Sequence, residues 1–137
     1  NGELDIPANS FLVTRALDLG LASTFHRAFD GVSDKPAALE NLVKLGFKRI
    51  LTSGGDSQAI DNIDTLAGLK ILARDSIEIM VGSGVNADNA VHLSKTGVDA
   101  LHFSIRKSNG DEIVPGMGAQ YVPNLDKIRA ILKVLGK

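Results

Sequence analysis

The sequence predicts an α/β fold, a (β/α) TIM-type barrel of which the chain makes one half. Three observations carry this. Strand-like apolar runs alternate with helical ones four times along the chain, a pattern that builds a parallel sheet with right-handed crossovers. Polar residues or glycine stand at the carboxyl end of every predicted strand: His26 and Arg27, Thr52 and Ser53, Gly82 and Ser83, His102 and Ser104. In a closed parallel barrel those ends converge on one functional face. The third observation is length: 137 residues is half of the about 250 that eight strands and eight helices need. The chain is therefore either a fragment of a barrel or is completed by another chain. An open dinucleotide-binding sheet is disfavoured, because no GxGxxG follows an early strand.

The elements follow in order. Leu12, Val13, Ala16 and Leu17 keep helical spacing, and Gly20 supplies a left-handed stop. The run STFHRAF, residues 23–29, reads as the first strand. Ser33 or Asp34 caps the next helix, with Pro36 in its first turn, a stripe of Leu39, Leu42 and Val43, and an end at Gly46. FKRILTS, residues 47–53, is the second strand, and Asp56 or Ser57 caps a helix whose face is Ile60, Ile63, Ala67 and Ile71. IEIMVG, residues 77–82, is the third strand, followed by SGVNADN and a short helix through Ala90 and Leu93 to Gly97. DALHFSI, residues 99–105, is the fourth. A long loop around KSNGDEIVPGMGAQ then leads to a helix carrying Leu125, Ile128, Ile131 and Leu135. Gly precedes a strand in LGLASTF, LGFKRIL and TGVDALHF, a faint internal repeat that ordinary helix stops also produce.

Composition narrows the function. Hydrophobic residues make 44% and charged residues 23%, as in a soluble globular domain, so residues 1–137 are read as a single domain. A net charge of -1 without a basic run predicts no nucleic-acid partner and no anionic membrane partner. No apolar stretch approaches a membrane span and no leader pattern is present, so a cytoplasmic location is expected. The absence of cysteine excludes a disulfide framework, a thiolate metal site and a cysteine nucleophile.

Three motifs are similar to those of a known family. TFHRAFD (Thr24 to Asp30), RILTSGG (Arg49 to Gly55) and IEIMVGSGVNADN (Ile77 to Asn89) resemble, in order and spacing, the second half of the CutC copper-homeostasis family. NGELDI resembles the segment after that family's fourth strand, and LHFS its eighth. The resemblance implies a (β/α)₈ barrel of which these are strands five to eight, a cytosolic protein linked to copper tolerance, and Cu(I) as a ligand. Two features depart from the family: its first four strands, which include cysteine positions, are absent, and its GGGV is GSGV here, with Ser83 in the middle.

Strand alternation then assigns faces. Ile77, Ile79, Val81, Leu101 and Phe103 suit the helix layer, while His26, Thr52, Met80 and His102 share the barrel interior, with Ile50 also placed on the inward face. Imidazole and thioether are acceptable Cu(I) ligands, so His26, Met80 and His102 are the candidate metal set, against a plain reading as hydrogen-bonded core side chains. His92 falls on a surface helix. His26, Arg27 and Asp30 are the candidate catalytic residues: Arg27 for an anion, His26 or Asp30 as acid or base, with an Arg27–Asp30 pair inside the loop as the structural alternative. Thr52, Ser53, Gly54 and Gly55, with Gly82, Ser83 and Gly84, are the candidate ligand-binding loops, where glycine lets backbone approach a phosphate. A tight turn with Asn86 as cap is the alternative for the second loop. Two functions remain open: copper or small-ligand binding at the strand ends, or a barrel enzyme acting on a phosphorylated or anionic metabolite. Unpaired strand edges predict a partner, either a homo-oligomer or the N-terminal half of the barrel.

Overall fold

A computed structural model describes the backbone of residues 2–114 and 118–137 and the side-chain surroundings of 2–107 and 121–137. Helix α1 (Ile6–Asp18) starts where the Asp5 side chain accepts from the Ala8 amide, with Pro7 in the first turn. Strand β1 (Thr24–Phe25) leads into a 3₁₀ turn (Arg27–Gly31) and helix α2 (Lys35–Leu45). Asp34 is the cap of α2, accepting from Ala37 N at 3.0 Å, and Gly46 ends the helix at φ 96°. Strand β2 (Arg49–Thr52), a 3₁₀ turn (Ala59–Asn62), helix α3 (Ile63–Ala73), strand β3 (Glu78–Val81), helix α4 (Ala90–Ser94) and strand β4 (Ala100–Leu101) follow.

The four strands form one parallel sheet in the order β1-β2-β3-β4, with Thr24, Arg49 and Glu78 in one row and Leu51, Met80 and Ala100 in another. This is the α/β, TIM-barrel architecture expected, in a four-stranded part. Phe25, Ile50 and Ile79 point into the helix layer and pack with Phe29, Leu42 and Phe47. A second cluster joins Leu66, Val81, Val85 and Leu93 beneath β3 and β4. Ile50 and Ile79 are fully buried, each worth about 1.5–3 kcal/mol of transfer free energy.

Several expectations are corrected. The first strand is only two residues long, because the chain turns into a 3₁₀ helix at Arg27. Ile50 and Thr52 do not face the barrel axis: they share the buried side of β2, and Leu51 takes the inward side beside Met80. The buried face of α3 is Leu66, Leu69 and Ala73, whereas Ile71 is 75% exposed. The 3₁₀ turn before α3 changes the rotation per residue, and a helix apolar on both sides offers no phase of its own. Neither Asp56 nor Ser57 caps it; Gln58 precedes the turn without a side-chain bond, and Ser57 Oγ accepts from Asn62 instead. The predicted loop over 107–120 is instead mostly antiparallel hairpin, β5 (Arg106–Val114) with β6 (Gly118–Pro123), whose residues 115–117 lie outside the described ones. Helix α5 (Leu125–Val134), capped by Asn124, closes the chain and buries Ile131.

Candidate functional site

The loops that follow β1, β2 and β3 meet at the carboxyl ends of the strands. At their centre is Asp30, a carboxylate whose residue is only 6% exposed. The 3₁₀ turn carries it under β2, where Oδ1 accepts from Thr52 Oγ1 at 2.5 Å and from the Ser53 amide at 2.9 Å. Oδ2 accepts from Arg27 Nε at 2.7 Å and lies 3.0 Å from Ser53 Oγ. Thr52 Oγ1 accepts in turn from Gly54 N, and Ser53 Oγ reaches Gly55 O at 2.6 Å. Thr52 and Ser53 are fully buried, and among the described residues no buried side-chain polar atom lacks a partner. Thr52 can face the core because its hydroxyl finds a carboxylate there; without that partner its burial would be costly.

Arg27 caps this network from the solvent side. Its Nη2 donates to Ser53 Oγ at 3.1 Å, so two of its donors are held in place. The Arg27–Asp30 pair anticipated from the sequence therefore exists, as part of a wider cluster.

The next loop is joined to this one by two backbone bonds, Gly82 N to Thr52 O and Ala59 N to Ser83 O. Ser83 adopts φ 91° and Gly84 φ 74°, and a Cβ on Gly84 would meet Gln58 Oε1 at 2.5 Å. Ser83 thus holds a left-handed conformation that favours glycine. Asn86 Oδ1 accepts from the Asp88 and Asn89 amides and Asn89 Oδ1 from Asn86 N, so Asn86 caps the turn ahead of α4 rather than the helix itself.

The three proposed metal ligands are not assembled into one set. The alternation that would turn His26 inward stops at Phe25; His26 instead lies against the Phe25 ring at 5.6 Å, and its Nδ1 accepts from Ala28 N. It borders a cleft of about 300 Å³ with Leu12, Phe25 and Phe47, at the β1 edge. Met80 is half-buried on the inner face of β3, and His102 is exposed beside Gly82. β1 and β4 are the outer strands, which separates His26 from His102 by three strand spacings, about 14 Å along the sheet. Among the described residues no group of three His, Cys, Asp or Glu side chains could hold a metal ion. Separated in this way, His26, Met80 and His102 do not form one Cu(I) site, and the chain has no thiolate to replace them. His92 is exposed on α4. A cleft of about 330 Å³ lies away from the strand ends, between Gly2–Leu4 and the start of α2.

Two polar contacts were not anticipated. Arg49 pairs with Glu78 across the inner face, with Nε 2.7 Å from Oε2. Asp99 accepts from Lys70 Nζ at 2.7 Å and from Ile79 N at 2.8 Å. Burial pushes the Asp99 carboxyl upward, but the Lys70 and Ile79 hydrogen bonds outweigh it and hold the group below its ordinary value. The first pair is visible only once the register aligns Arg49 with Glu78. The Asp30 cluster had a local signal, the R-x-x-D spacing of Arg27 and Asp30, which did not reveal Thr52 and Ser53 as its other half.

Comparison with known proteins identifies the family. A model of the CutC family matches residues 1–107. The chain belongs to the CutC family. A CutC family protein of Aliivibrio fischeri (strain MJ11) is 44% identical over 105 residues, covering 76% of this chain and 42% of that protein. One from Glaesserella parasuis serovar 5 is 40% identical over 146 aligned positions, covering 98% and 59%. The crystal structure of a CutC protein from Streptococcus agalactiae superposes with a TM-score of 0.68 at 38% identity, covering 74% of this chain and 50% of that one. This CutC chain thus spans about half the length of the relatives it matches. Among the described residues no helix is long and apolar enough to cross a membrane.

Proposed function

We propose that this chain serves copper homeostasis in the cytoplasm as part of a CutC barrel, and that it does so by binding a small ligand at the carboxyl ends of its parallel strands. Copper homeostasis is supported by kinship: the Streptococcus agalactiae relative is named for that process. The ligand reading is supported by one observation above the rest. A half-exposed arginine is held rigidly at the strand ends by a buried carboxylate and a buried serine, while the neighbouring loop bends through Ser83 and Gly84 at positive φ. Rigid first contacts backed by buried partners are what a binding site requires. Copper itself is not the ligand these residues suit, so no step is assigned to it.

The same arginine favours a second reading, a barrel enzyme acting on a phosphorylated or otherwise anionic metabolite, with His26 or Asp30 moving the proton. Asp30 already accepts from Arg27 Nε, Thr52 Oγ1 and Ser53 N, which suits an anchor better than a base. In either reading further strands complete the barrel, because among the described residues β1 and β4 each have one unpaired edge in the sheet and Leu51 and Met80 line an open inner face. Those strands come from a second copy or from an N-terminal half; a well-folded monomer of 14.5 kDa in sedimentation equilibrium would overturn that part.

Growth under copper challenge tests the function. A strain lacking the protein should regain tolerance when the gene is restored, and purified chain should fail to withdraw Cu(I) from a competing chelator at equimolar concentration. Tight Cu(I) binding that disappears in a His26→Ala, His102→Ala double variant would replace the small ligand with a metal site. No effect on tolerance would overturn the homeostasis role.

A further inference from the structure

The chemistry of the ligand can be read from Arg27. A guanidinium carries five N–H donors in a planar fork with two usable edges. Nε and Nη2 lie on the lateral edge, and both are taken: Nε by Asp30 Oδ2 at 2.7 Å and Nη2 by Ser53 Oγ at 3.1 Å. The distal edge, formed by Nη1 and the second Nη2 hydrogen, has no acceptor among the described residues. The side chain is 44% exposed, whereas the carboxylate that holds it is 7% exposed. The fork is therefore clamped on its inner edge and open on its outer one.

Asp30 Oδ1 takes its hydrogen bonds from β2 without Arg27, from Thr52 Oγ1 and Ser53 N. Oδ2 is served by Arg27 Nε and by the single Ser53 hydroxyl proton, which also has Gly55 O within 2.6 Å. Closing the loop therefore uses only the lateral edge of the guanidinium. What the arginine adds is a pair of parallel N–H groups, held still, whose spacing matches two oxygens of one carboxylate or phosphate. Because Asp30 offsets the charge, recognition would come from the direction of the two hydrogen bonds more than from net attraction.

We propose that Arg27 anchors an oxyanion group of the ligand, a carboxylate or a phosphate, through its distal edge, with Asp30 and Ser53 as positioning residues. This rests on the reading of the strand ends as a ligand site and names what that site takes. Lysine cannot substitute, since an ammonium has no fork.

The test is a titration of the ¹⁵N-labelled chain with inorganic phosphate and, separately, with acetate, following backbone amides and the Arg27 side-chain nitrogens. Saturable shifts should appear at Arg27, Ser53 and Gly54. Phosphate binding more tightly than acetate assigns a phosphorylated ligand, and the reverse order a carboxylate. Arg27→Lys should weaken binding about tenfold, equivalent to about 1.4 kcal/mol. Ser53→Ala should weaken it several-fold and speed hydrogen exchange at Arg27 Nη, a signal that lost packing alone would not produce. Binding at the strand ends with unchanged affinity in both Arg27→Lys and Arg27→Ala would overturn the arginine anchor while leaving a ligand site in place. No shift at the strand ends with either probe would overturn the oxyanion assignment, and the copper-challenge result would still judge the function independently.

Discussion

Replacing Asp30 with alanine removes one acceptor group from four donor contacts. Arg27 Nε is near solvent and can turn to water. Ser53 Oγ keeps Gly55 O at 2.6 Å. The Ser53 amide and the Thr52 hydroxyl proton have no such alternative, and both residues are fully buried. Each buried donor left unpaired costs about 1–3 kcal/mol, so Asp30→Ala should cost about 2–6 kcal/mol against a total stability of about 5–15 kcal/mol. Asp30→Asn keeps one acceptor oxygen for those two donors and should cost about 1–3 kcal/mol. Arg27→Ala should cost about 1 kcal/mol: the carboxylate is buried, but the guanidinium is 44% exposed and Asp30 Oδ1 keeps both of its donors. Urea denaturation followed by circular dichroism measures all three, with the midpoints ordered wild type, Arg27→Ala, Asp30→Asn, Asp30→Ala. An Asp30→Ala loss below about 1 kcal/mol, or an Arg27→Ala loss equal to it, would refute the account of the cluster as a carboxylate saturated from β2.

Ser83→Gly should raise stability by about 1 kcal/mol, because φ 91° strains a residue with a Cβ; a lowered melting temperature would show that the hydroxyl matters more than the strain. Gly54→Ala should cost at least about 1 kcal/mol, since the position has φ 83° and the new Cβ would stand 2.9 Å from Asn62 Cβ. Asp99 has a folded pKa below its unfolded one, so its stabilisation is present above the unfolded value and is lost as pH falls through the folded value. Asp99→Asn should therefore flatten the acid limb of a stability–pH profile and leave the neutral limb parallel to wild type. Leu66→Ala, at a fully buried position in the second core cluster, should cost about 2–5 kcal/mol in the same denaturation assay.

The sequence by itself determined the order of elements and the class of fold, because those depend on neighbours within a few residues. Asp34, Pro36 and Gly46 act on adjacent backbone, and each takes the role its chemistry dictates in α2. Glycine at φ 69° after α1 and 82° after α4 stops the chain where the apolar periodicity ends. The motifs around Thr24, Arg49 and Ile77 were enough for the family. Tertiary structure decided the site. Alternation assigns a face only when the strand is long enough to set its phase, and β1 ends at Phe25, so His26 leans on a ring instead of reaching the axis. Helix α3, apolar on both sides, took its phase from the turn before it. Alternation along FKRILTS does not by itself say which face is inward; Thr52, placed inward from the sequence, is buried on the helix side, satisfied by a carboxylate 22 residues earlier in the chain. Burial of a polar group is decided by its partner, and a partner that distant is brought into reach only by the fold.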